Sequence, residues 1–85
     1  MKASIIIHFK DGTTRKITGM RTHALAKRFY ELDKNLDASQ VKKTTFELSY
    51  WDSGDDCSTQ QRHAICKDFS LQGMRDHIAG LMEAV

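Results

Sequence analysis

Gln60-Gln61-Arg62-His63-Ala64-Ile65-Cys66-Lys67-Asp68-Phe69 is the stretch on which the fold of this chain turns. His63, Ile65, Lys67 and Phe69 alternate as in an edge strand, while Ala64, Ile65 and Phe69 also suit a turn of helix. As a strand the segment adds a fourth member to a sheet; as a helix it leaves three strands and three helices. We adopt the strand. Immediately after it, Ser70 caps a helix whose Leu71, Met74, Ile78, Leu81, Met82 and Val85 fall on one stripe, weakened by Gly73 and Gly80.

Working back toward the N-terminus, Asp52 to Ser58 reads as a Gly- and Asp-bearing loop. Before it, Thr44 to Trp51 alternates, with Phe46, Leu48 and Tyr50 on one side and Glu47, Ser49 and Trp51 on the other. Residues 37–43 read as a polar connection. Leu25, Phe29, Leu32 and Leu36 recur at helical spacing, which predicts a helix over 22–36 with Thr22 as N-cap. Arg21, Lys27, Arg28 and Lys34 lie largely off that stripe.

The chain begins with a hairpin. Ser4 to Phe9 is a strand, and Lys10-Asp11-Gly12 is the strongest turn signal in the sequence. A two-residue turn would set Lys16 opposite Ile7. A three-residue loop with Gly12 left-handed sets Ile17 opposite Ile5 and gathers Ile5, Ile7, Phe9 and Ile17 on one face. The second register is the expected one, and it puts Ile6, His8, Thr14, Lys16 and Thr18 on the other face.

The resulting order is ββαββα, an α+β fold. Two amphipathic helices bury their stripes most simply on one face of a mainly antiparallel sheet of 3–4 strands, as a two-layer sandwich. At 85 residues the chain has room for one core, so residues 1–85 are expected to form a single domain. The pentapeptide Gly19-Met20-Arg21-Thr22-His23 returns as Gly73-Met74-Arg75-Asp76-His77, at an offset of 54. The helical stripes align at 53, and one residue of slip turns a helix by about 100°. The match therefore reads as coincidence rather than duplication.

Charge is split along the chain. Residues 1–43 hold ten Lys and Arg against four Asp and Glu, a balance of +6; residues 44–85 hold three against seven, a balance of −4. Such a division can orient a partner or a second copy. With Cys57 and Cys66 alone, a disulfide scaffold is not expected and a reducing cytoplasm is. Ile5-Ile6-Ile7 is too short for a signal peptide or a membrane span, so no membrane association is expected.

Catalytic and metal motifs do not emerge. His63 and Cys66 have no second ligand pair for zinc, and as strand residues they would point to opposite faces. Asp52-Ser53-Gly54-Asp55-Asp56 lacks the alternating carboxylates and distal Glu of a helix-loop-helix calcium site. No nucleophile elbow, phosphate-binding loop or His-Glu-x-x-His occurs. The chain thus reads as a non-enzyme without cofactor or metal. The Lys-Asp-Gly hairpin followed by a helix is too common a pattern to identify a family.

Two functional classes follow. The first is a protein-interaction module, docking on a partner or a second copy through Ile6, His8, Lys16 and Trp51 on the open sheet face. Its ordinary alternative is that Trp51 folds over the sheet edge or the adjoining loop. The second class is nucleic-acid binding through Lys10, Arg15, Lys16, Arg21, Lys27 and Arg28, whose ordinary alternative is a solvated charged surface. A sequence pI near 8.6 lies below the strongly basic range of such binders, so the first class is preferred.

Overall fold

The structure, a computed structural model, describes residues 2–53 and 60–83, with residues 50–53 and 60–63 described by their backbone alone. The first hairpin joins β1 (Lys2–Phe9) to β2 (Thr14–Gly19), and Ile5 pairs with Ile17 as the three-residue loop requires. Gly12 has φ of +90°, a conformation that other L-residues adopt at a cost. The Phe9 amide donates to the Thr13 carbonyl at 2.9 Å and the Gly12 amide to the Phe9 carbonyl at 3.1 Å. Asp11 closes the loop by accepting from both the amide and the hydroxyl of Thr13.

Helix α1 (Thr22–Lys34) follows, and here the sequence reading needs correction. Arg21, in extended conformation, occupies the N-cap position without a side-chain cap, and Thr22 is already helical. The first helical bond runs from the Leu25 amide to the Arg21 carbonyl. At the other end the helix stops at Lys34 rather than residue 36, where the Asn35 and Leu36 amides close a last turn onto Leu32 and Asp33.

Residues 37–43 are more than a polar connection. Asp37 caps a short 3-10 turn, Ala38–Gln40, and β3 (Val41–Ser53) starts directly after it. Lys42 and Lys43 belong to that strand because its backbone pairs with β1, with Lys43 opposite His8 and, across a bulge, Val41 opposite Phe9. At its far end β3 includes Asp52 and Ser53, expected in the loop; the rest of the expected loop, 54–58, lies outside the described residues. The deciding stretch is β4 (Gln60–Phe69), an antiparallel strand, so the three-helix alternative is excluded. Ser70 caps α2 (Leu71–Glu83) as expected, accepting from the Gly73 amide at 3.0 Å.

The four strands form one antiparallel sheet in the order β2-β1-β3-β4. α1 packs over β1 and β2, α2 over β3 and β4, and the helices touch each other. Between the layers lie Ala3, Ile5, Ile7, Leu25, Ala26, Phe29, Phe46, Met74 and Ile78. Burial of each large member contributes about 1.5–3 kcal/mol, which is why the two helical stripes converge on this face. The apparent repeat dissolves in three dimensions: Gly19 ends a strand whereas Gly73 to His77 is helical, and Met20 is exposed where Met74 is buried.

Candidate interaction surfaces

Two surfaces carry residues that the sequence singled out, and a third emerges only from the fold. The face of the sheet away from the helices bears Ile6, His8 and Lys16, with Ile6 directly between Lys16 and Thr45 of the neighbouring strands. Lys16 Nζ approaches Glu47 Oε2 to 3.8 Å across β1, and Ile6 is only half-exposed beneath them. Ser4 and Thr18 share a hydrogen bond at 3.2 Å. His8 Nε2 and Thr45 Oγ1 lie 2.8 Å apart, and Thr45 Oγ1 donates to Asp68 Oδ1 at 2.8 Å. A hydroxyl has one proton, so His8 Nε2 must be the donor to Thr45. Asp68 also meets Lys43 Nζ at 3.2 Å, and the Thr45 bond, then Lys43, holds its carboxyl below the usual range. This is a polar face whose groups already satisfy one another. Trp51 keeps the β3 register opposite Arg62, past the Lys2–Ser49 pair that ends the β1–β3 ladder; its side chain lies outside the described residues.

The second surface is a groove of about 640 Å³ between β2 and α1. Arg15, Lys27 and Arg28 surround it, Ile17 and Leu32 contribute apolar lining, and Glu31 is its one acid. Arg28 also donates to the Thr18 carbonyl, so α1 occupies a main-chain acceptor of the β2 edge strand. Of the cations proposed for nucleic acid, the fold brings together Arg15, Lys27 and Arg28. It separates Lys16, on the opposite face, Arg21, at the start of α1, and Lys10, in the hairpin loop near Asp37.

The third surface was not read from the sequence. A cleft of about 250 Å³ opens between α2 and the β3–β4 side of the sheet, lined chiefly by Leu25, Phe46, Leu48, Ile65, Ile78 and Leu81. Ile65 is 49% exposed at its margin. Ala64 to Asp68 are all exposed, on both faces of β4, and β4 is an edge strand. Ile65 stands on the helix side of the sheet, opposite Leu48; that α2 leaves it uncovered depends on where the helix comes to rest.

His77 also borders the cleft. Its ring stacks on Phe69 (centroids 4.8 Å) and meets Phe46 edge-on (4.7 Å), and its Nε2 is buried without a hydrogen-bond partner. Burial, with the nearby Lys67 charge adding to it, pushes its pKa down. The spacing Met74, His77, Ile78, Leu81 is a signal that could have placed His77 on the buried stripe.

Among the described residues no group of three His, Cys, Asp or Glu side chains is placed to hold a metal. Cys66 is free and exposed, Cys57 lies outside the described residues, and no described helix is long and apolar enough to cross a membrane. Compared with known proteins, the chain matches no family model, no curated protein and no solved structure.

Proposed function

We propose that this protein is a non-catalytic protein-interaction module that works through the β4 margin of its sheet. One observation carries the reading: a ten-residue edge strand presents Ile65 to solvent beside an apolar cleft. An edge strand offers unpaired main-chain donors and acceptors to an incoming chain, and the adjoining cleft offers a place for an apolar side chain. The opposite edge is less open, since β2 is short, carries Arg15 and Lys16, and has its Thr18 carbonyl taken by Arg28. The face bearing Ile6, His8 and Lys16, with Trp51 further along β3, belongs to the proposal as a secondary contact area. With only Cys57 and Cys66 in its sequence, the module belongs to a reducing compartment, the cytoplasm, on this reading.

Site-specific photo-crosslinking tests this. A photoreactive residue at position 65 should form covalent adducts with protein in the cells that make the chain. The same residue at position 14, on the exposed β2 edge, should form few. Absence of adducts from position 65 rules the reading out.

A second reading, nucleic-acid binding, is favoured by the groove that gathers Arg15, Lys27 and Arg28. Phosphate contacts release counterions, so binding would fall steeply with salt. Glu31 within the groove and the removal of Lys16 to the other face rank this reading second. A salt-steep affinity for single- or double-stranded probes, lost in Arg15→Glu/Arg28→Glu, would reverse the order.

A further inference from the structure

The partner of the β4 edge can be specified further. We infer that it is a second copy of this chain, paired antiparallel through β4 about a two-fold axis at Ile65. The inference rests on the interaction reading above and adds the identity and register of the occupant.

In an antiparallel pair related by a two-fold axis, residues equidistant from the axis stand opposite each other. With Ile65 on the axis, Ile65 meets Ile65, Ala64 meets Cys66, and Arg62 stands opposite Asp68 of the second copy, once on each side. His63 meets Lys67 and Gln61 meets Phe69, so no Lys or Arg faces another. Direct cross-strand pairs of opposite charge and of large aliphatics each stabilise a sheet, whereas like charges oppose it.

Neighbouring registers lose this match. With Cys66 on the axis, Ile65 faces Lys67 and Asp68 faces Ala64. With Ala64 on the axis, Ile65 faces His63 and Asp68 faces Gln60. With Lys67 on the axis, two lysines meet. Only the Ile65 register among these joins the two apolar side chains and leaves each Asp68 opposite an arginine. Small residues at Ala64 and Cys66 flank the axis on the other face and put no bulk there.

The rest of the fold fits this geometry. A two-fold perpendicular to the sheet keeps all four helices of the pair on one side of a continuous eight-stranded sheet. Ile65 lines the cleft of each copy, so the two clefts meet at the axis and each is closed by the other's Ile65. Both faces of β4 from Ala64 to Asp68 are exposed, which leaves this part of the strand clear for pairing.

Light scattering on size-exclusion fractions, together with two sets of variants, tests the inference. The wild-type chain should run at twice its monomer mass and dissociate on dilution. Ile65→Lys, at a half-exposed position that the fold tolerates, should weaken association by about tenfold or more while leaving the circular dichroism unchanged. Arg62→Glu should weaken it as well, and Arg62→Glu/Asp68→Lys should recover most of the loss by restoring opposite charges across the axis. A chain that stays monomeric up to its solubility limit overturns the inference, as does a dimer indifferent to both Ile65→Lys and Arg62→Glu. If Asp68→Lys unfolds the chain, spin labels on Cys66 in a Cys57→Ser background decide whether the copies pair through β4: the two labels should lie within about 20 Å, and a longer distance overturns the inference. Photo-adducts from position 65 with a different protein only would overturn the homodimer and leave the interaction reading standing.

Discussion

Arg75 of α2 grips Asp33 of α1 with two parallel hydrogen bonds, Nε to Oδ2 and Nη2 to Oδ1, each 2.9 Å long. Asp33 is largely shielded and Arg75 about a third exposed, and the carboxylate raises the Arg75 pKa further above its ordinary value. This fork joins the two helices outside the apolar layer and fixes how they lie against each other. Bidentate arginine–carboxylate pairs add geometric specificity as well as energy.

Asp33→Ala and Arg75→Ala should each destabilise the fold by about 1 kcal/mol, with the pair non-additive in a double-mutant cycle. Urea titrations of the four proteins measure this. Arg75→Lys keeps the charge but not the fork, so it should recover less than half of the loss. Full additivity would show that the pair contributes nothing beyond its separate solvated charges.

His77 makes stability depend on pH. Its folded pKa is lowered by burial and by Lys67, so the unfolded chain binds the proton more readily. Stability is therefore intact above the unfolded value of about 6.5 and falls as the pH drops through and below it, until the folded pKa is passed. His77→Phe should keep the contacts with Phe46 and Phe69, remove the unpaired buried Nε2, and gain about 1 kcal/mol at neutral pH. Thermal melts between pH 5 and 8 should show the acid-side loss in the wild type and a flatter profile in the variant.

Two glycines should respond with opposite signs to the same substitution. A Cβ at Gly19 would lie 2.8 Å from the Leu25 amide nitrogen, where β2 turns into α1, so Gly19→Ala should cost about 2 kcal/mol as backbone shifts. Gly80, within α2, has open space around the same position. Gly80→Ala should gain about 0.5–1 kcal/mol from helix propensity. Denaturant midpoints of the two variants would read the signs directly.

The His8–Thr45–Asp68 relay can be read out by titration. Thr45→Val preserves the shape of a buried position but removes the strongest donor to the Asp68 carboxylate. The Asp68 pKa should rise toward its ordinary value, with Lys43, then His8, accounting for whatever depression is left. A lowered carboxylate pKa stabilises the fold above the unfolded pKa, and that contribution is lost as the pH falls through the folded one. Carbon-detected NMR of the Asp68 carboxyl checks the shift; an unchanged pKa would show that Lys43 and His8 alone set it.

Local pattern was enough for much of this architecture. The period-two alternation of β1 and β3, the Lys10-Asp11-Gly12 loop and the helical stripes through Leu25–Phe29 and Met74–Ile78 each state which side of their own element is apolar. The Ile5–Ile17 register followed because a slip would have carried a lysine to the core face. Boundaries were less legible. Thr22 resembles a cap, but Arg21, in extended conformation, takes that position without a side-chain bond. Lys42 and Lys43 resemble a connection, but pairing with β1 makes them a strand.

Periodicity within a segment determined the elements, their inward faces and the two-layer class. It carries no information about how far a helix extends over a sheet. The tertiary structure alone decided that α2 stops short of covering Ile65, and that His77 is enclosed by Phe46 and Phe69. It alone drew Arg15 of β2 to Lys27 and Arg28 of α1. Burial and local potential at a side chain sum over neighbours from segments distant in sequence, and those neighbours are set only when the layers close on each other.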